Sequence, residues 1–169
     1  MIKKLLPLTA FFALINSGCT QCPEDGTDGD YSGADLTSCM VAGLDHVNGD
    51  FSDAKLDELD FSNANLESPN FSGASLVKTN LSALDSANPN FSGADLSDAN
   101  LTNCDLTNAN FSNANLSNAN MSNCDLANAN FSNANLTGVN WSGADLTNPT
   151  CDGATGVDVS AATVVGGSC

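Results

Sequence analysis

The amino-acid sequence predicts an all-β solenoid that turns a corner every five residues, on three observations. Large residues recur at every fifth position from Tyr31 to Leu146, interrupted only by His46 and Ser86. A small residue, usually Ala, stands two places before most of them, as at Ala94, Ala114 and Ala134. The positions between are filled by Asn, Asp, Ser, Thr and Gly. A period of five fits neither the 3.6 of a helix nor the 2 of a strand, and self-similarity at a fixed period decides a fold before local propensity does. Asn, Asp, Gly and Ser are residues that suit corners.

The chain begins with Lys3 and Lys4, followed by an apolar stretch from Leu5 to Ile15 and then Asn16-Ser17-Gly18-Cys19. This layout is too short for a membrane span and has the form of a secretory signal over residues 1–18. The run Ile15-Asn16-Ser17-Gly18-Cys19 resembles the end of a bacterial lipoprotein signal, in which the cysteine carries the lipid. Asn16 departs from the Leu usual in such signals, and plain cleavage near Ser17 or Gly18 is the alternative. Thr20 after the cysteine resembles an outer-membrane sorting signal. The expected location is therefore the cell envelope or periplasm, with secretion as the alternative. Residues 19–30, rich in Gly and Asp, read as an acidic tether. Residues 31–152 carry the repeat, and 153–169 read as an irregular C-terminal cap.

Aromatic residues recur every twenty positions at Tyr31, Phe51, Phe71, Phe91, Phe111 and Phe131. Leu follows the same spacing at Leu36, Leu56, Leu76, Leu96, Leu116 and Leu136. Four pentapeptides therefore make one coil, and each coil adds one residue to each of four internal columns. His46 and Ser86 share a column, and each follows a Leu where Ala is usual, Leu44 and Leu84. The bulky group moves two places and the core volume is kept, as close packing requires. Tandem Ala-(Asp/Asn)-Leu-x-x units, such as Asn113-Ala114-Asn115-Leu116-Ser117, resemble the pentapeptide-repeat family. The resemblance implies a right-handed quadrilateral parallel β-helix whose Leu/Phe and small residues point inward. At a strand spacing of ~4.8 Å its six or so coils form a rod ~30 Å long.

Charge is one-sided: 20 Asp and Glu against 4 Lys, a net charge of −16. Loss of the first 18 residues would leave the acids facing only Lys55 and Lys78. Such a surface repels phosphates and anionic membranes, so direct nucleic-acid binding is not expected, and a membrane is reached only through the lipid anchor. Asp85, Asp105, Asp125 and Asp145 are twenty residues apart and should form one outward ladder, with Asp45 continuing it after Asn65. Carboxylates so placed suggest weak Ca²⁺ binding or a solvated stripe; no other cofactor is implied. His46 falls on an inward position and reads as packed rather than catalytic.

Seven cysteines in a short exported chain suit an oxidising compartment. If Cys19 carries lipid, Cys22, Cys39, Cys104, Cys124, Cys151 and Cys169 remain, an even set that permits several connectivities. The expected end staples are Cys22 with Cys39 and Cys151 with Cys169. Cys104 and Cys124 should stack in adjacent coils, as a disulfide or as free apolar thiols.

The resulting functional expectation is a non-enzymatic, lipid-anchored acidic rod, serving as an envelope scaffold or interaction surface for an unidentified protein. Two alternatives come from other classes. Acidic pentapeptide rods of the quinolone-resistance group resemble duplex DNA and bind DNA gyrase, which fits the charge but not the export signal. Flat Ser, Thr and Asn faces suggest ice binding, although they mix residue types.

Overall fold

The computed structural model describes residues 29–39, 41, 48–62, 64–86 and 88–169. The chain winds as a quadrilateral solenoid. Parallel one-residue bridges join positions twenty apart on all four sides: Asn90 with Asn110, Asp95 with Asn115, Asn100 with Asn120, and Asp105 with Asp125.

One pentapeptide shows why the repeat needs its residue types. In Phe91–Asp95 every backbone N–H has an acceptor. Phe91 and Gly93 donate to Asn110 and Ser112 of the next coil at 2.8 Å, and Asp95 donates back to Ala74 at 2.9 Å. Ala94 closes the corner onto the Phe91 carbonyl at 3.1 Å. The fifth donor, the Ser92 N–H, is met by the Asn90 side chain at 3.2 Å. Buried backbone donors must be satisfied, and the Asn or Asp before each large residue is the side chain that completes the set. Where Ser75 stands at that position, the Val77 N–H is met instead by Asp57 of the preceding coil at 2.9 Å.

The residue two places after each large one adopts the left-handed conformation. Gly, Asn and Asp hold this corner in most coils, for example Gly93 at φ 69°, Asn113 at 61° and Asp98 at 58°. Asn and Asp are the non-glycine residues that visit this region most readily. Glu58, Ser68, Lys78 and Ala83 occupy it at φ 52° to 62°, where an L side chain costs roughly 1–2 kcal/mol.

The interior is four stacked columns. Phe51, Phe71, Phe91, Phe111 and Phe131 lie with ring centroids 5.0–5.2 Å apart and planes within 18°. Leu56, Leu76, Leu96, Leu116 and Leu136 are fully buried beside them. Phe61 meets Phe51 and Phe71 edge-on at 6.1 Å, and Trp141 meets Phe131 edge-on at 5.6 Å. Leu84 and Ser86 are both buried, so Leu84 restores volume that Ser86 gives up, and the Ser86 hydroxyl has no hydrogen-bond partner. Leu44 and His46 lie outside the described residues.

Residues 153–169, expected to be irregular, continue the winding. Thr155 bridges Asn135. Strand β1 (Asp145–Thr147) then pairs in parallel with β2 (Thr163–Val165), Leu146 opposite Val164. Asp145 pairs with Thr163, eighteen positions on rather than twenty. The repeat motif is lost here, yet β-branched residues still suit a strand, and a coil two residues short still closes. Among the described residues no helix is long and apolar enough to cross a membrane.

Candidate functional site: an acidic ladder and the rod ends

The solenoid sets outward side chains into straight ladders, one step per coil. Asn ladders are tied together. Each amide donates to the side chain one coil nearer the N-terminus: Asn110 to Asn90 at 3.3 Å, Asn135 to Asn115 at 3.0 Å and Asn100 to Asn80 at 2.9 Å. All amides point the same way, so the first member of a ladder needs only to accept. Acceptor-only carboxylates stand there: Asp50 receives Asn70, Asp60 receives Asn80 and Asp95 receives Asn115, at 2.9–3.0 Å. The Ser62 hydroxyl and N–H hold the Asp60 carboxyl below the usual carboxylate range, and Thr37 does the same for Asp35.

Asp85, Asp105, Asp125 and Asp145 also form one ladder. Their backbones bridge in register, and all four are exposed. Unlike the Asn ladders, this one has no donor between its rungs. Each of three carboxylates instead turns to its own strand: Asp105 accepts from the Thr107 N–H and hydroxyl, Asp125 from the Ala127 N–H, and Asp145 from the Thr147 hydroxyl. Among the described residues no group of three or more His, Cys, Asp or Glu is gathered as metal ligands would be. Asp45, the expected extension of the ladder, lies outside the described residues, as do Cys19 and Cys22.

At the C-terminal end a disulfide joins Cys151 to Cys169, Cα atoms 4.8 Å apart, and the Cys151 N–H donates to the Ser168 hydroxyl at 2.9 Å. Cys39 is also disulfide-bonded. Cys104 and Cys124, admitted by their spacing as a stacked disulfide, are instead free and buried. Each thiol donates to a carbonyl twenty-three residues back, Cys104 to Leu81 at 3.1 Å and Cys124 to Leu101 at 2.6 Å. The two side chains are thus held in equivalent orientations one coil apart. Parallel Cβ vectors at ~4.8 Å exceed the ~3.8 Å mean that a disulfide prefers. Thr79 in an adjacent column uses its hydroxyl the same way, donating to Leu56 at 2.8 Å.

Comparison with curated proteins returns no match. Among solved structures the chain is similar to full-length QnrB1, a plasmid-mediated fluoroquinolone resistance protein. Identity is 22%, coverage 82% of this chain and 80% of that one, and the TM-score 0.50. It is also similar to HetL, a pentapeptide repeat protein of the cyanobacterium Nostoc sp. strain PCC 7120. There the identity is 22%, coverage 92% of both chains and the TM-score 0.43. A third, alr5209 from Nostoc PCC 7120, is 32% identical over 56% of this chain and 84% of that one, with a TM-score of 0.49. The pentapeptide-repeat family profile, in eight copies, matches residues 50–82, 90–128 and 124–155. With its twenty-residue coils, inward Phe and Leu columns and this match over more than half its length, the chain belongs to the pentapeptide-repeat family, and its fold is the family's right-handed quadrilateral β-helix.

Proposed function

We propose that the protein is a non-enzymatic, exported acidic rod, anchored through lipid on Cys19, that presents its ladders to a partner protein. The observation that carries this reading is the in-register Asp85–Asp145 ladder. It repeats one carboxylate per coil on an exposed side, within a chain of net charge −16. Regularly spaced charge on a rigid frame favours a complementary basic surface and speeds encounter with it. The signal-like residues 1–18 and Ser17-Gly18-Cys19 support delivery to the envelope. The test is fractionation of the tagged full chain with mass spectrometry of its mature N-terminus. A diacylglyceryl group on Cys19 and release from membranes by Cys19→Ala are expected. A cytoplasmic chain with its first 18 residues intact would overturn the reading.

A second reading is favoured by the same charge: an acidic rod with the outline of duplex DNA acting as a decoy for a DNA-handling enzyme such as DNA gyrase. QnrB1 is described as a fluoroquinolone resistance protein, and at 22% identity the likeness speaks to the fold. Supercoiling by purified gyrase in the presence of the chain separates the two readings; unaffected supercoiling removes the second.

A further inference from the structure

Successive coils of one internal column place Leu84, Cys104, Cys124 and Ala144 at the small inward position. All four are buried, so the two thiols form a pair closed at both ends by hydrocarbon. Ala fills the equivalent place in many other coils, including Ala94, Ala99, Ala109, Ala114 and Ala119. Packing alone therefore does not demand sulfur here.

The geometry of the pair is specific. The register is fixed by the Asp105–Asp125 bridge and by the Asp125 N–H donating to the Cys104 carbonyl at 2.9 Å. The equivalent thiol–carbonyl contacts show that the sulfurs are related by a one-coil translation, which is ~4.8 Å. That separation is more than twice the ~2.05 Å of a disulfide. It is close to the ~4.6 Å spanned by two metal–thiolate bonds of ~2.3 Å laid end to end. The two sulfurs are the only soft donors at this point, and thiolates select soft ions. The apolar flanks exclude the oxygen and nitrogen donors that a four-coordinate ion would need.

We propose that Cys104 and Cys124 are a linear two-coordinate site for a soft monovalent metal ion of the copper(I) type, held between adjacent coils. The balanced step replaces two S–H protons by one ion: M⁺ + 2 RSH → [RS–M–SR]⁻ + 2 H⁺. No electrons move. The anionic complex faces backbone N–H groups. Those of Leu84 and Ala83 act on the Cys104 sulfur, and that of Cys104 acts on the Cys124 sulfur, each favouring the charged form. In the metal-free pair the Cys124 sulfur, and then burial, push the Cys104 thiol well above the ordinary cysteine range. The empty site is therefore a protonated dithiol. Because uptake releases protons, affinity rises with pH.

The experiment titrates the full chain, disulfides intact, with copper(I) kept reduced by ascorbate and competed by the chromogenic chelator bicinchoninate. Expected results are one equivalent bound, two sulfur neighbours at about 2.2–2.3 Å by X-ray absorption, and weaker binding at lower pH. Zinc(II) should not compete. The Cys104→Ala/Cys124→Ala double variant, which places at both positions the residue used in other coils, should lose the equivalent while keeping its melting transition. If that variant fails to fold, alkylation mapping of the wild-type chain decides: bound copper(I) should shield both Cys104 and Cys124 from a maleimide on unfolding. An equivalent retained by the double variant, three or more ligands in the absorption spectrum, or alkylation of both thiols regardless of copper(I) would each overturn the assignment.

Discussion

Replacing Phe91 by Ala probes the central claim that the rod is held together by columns. Phe91 is fully buried between Phe71 at 5.1 Å and Phe111 at 5.0 Å. Truncating a buried Phe costs roughly 3–5 kcal/mol through lost transfer and the cavity left behind. Two ring contacts, each worth roughly 0.5–1.5 kcal/mol beyond burial, place this site at the upper end of that range. A loss of about 4–5 kcal/mol approaches half the stability of an ordinary domain. The consequence in a solenoid is more specific than a lower midpoint. Each coil touches only its neighbours, so a weakened interface uncouples the two halves. Trp141, the single tryptophan, packs on Phe131 in the C-terminal half. In the wild type, tryptophan fluorescence and far-ultraviolet circular dichroism should follow one urea transition. In Phe91→Ala the circular dichroism should move to lower urea, and the fluorescence should lag behind it. Exposed Asp98→Asn keeps the left-handed corner and should stay within ~0.5 kcal/mol of wild type. A loss in Phe91→Ala below ~1 kcal/mol, or equal to that of Asp98→Asn, would refute the column argument.

Three further outcomes follow from the surface, the corners and the end. Ala83→Gly should raise stability by about 0.5–1 kcal/mol, because relief of the left-handed strain exceeds the added chain entropy; thermal melting of the variant checks it, and destabilisation contradicts the assigned corner. Asp105→Asn with Asp125→Asn should raise the melting temperature at low salt, since like charges directly opposite cost roughly 0.2–1 kcal/mol per pair, and the gain should shrink in 1 M NaCl. Asp30, Asp35, Asp60 and Asp158 all have carboxyls lowered by hydrogen bonds from Ser32, Thr37, Ser62 and Ser160. A depressed folded value adds stability above the unfolded value of ~3.9 and loses it as pH falls through the folded one. Melting temperature should therefore hold from pH 7 to about 5 and drop below about 4, and a drop centred near pH 6 would contradict the sign.

The architecture was legible because five-residue periodicity is a property of the chain itself. Twenty-residue recurrence of Phe and Leu fixed the four sides, and Ala two places earlier marked the second inward position. The Asp85–Asp145 ladder followed from the same arithmetic, since any two residues twenty apart must stack. Hydrogen-bond direction was not legible. Only the folded coil shows that Asn amides all donate toward the N-terminus and that Asp50, Asp60 and Asp95 begin those ladders as pure acceptors. Which corners carry strain was also hidden, because Lys78 and Ala83 look like ordinary outward residues until their φ is known. The C-terminal segment departed from expectation for a related reason. Local pattern signals the repeat, but a last coil needs only an edge to pair with, and Leu146 supplied one to Val164. Cysteine spacing placed Cys104 over Cys124. Whether sulfurs so stacked bond depends on the directions of their Cβ atoms, and tertiary structure alone sets those. Parallel vectors in translated coils keep them apart, whereas the shortened final turn brings Cys169 onto Cys151.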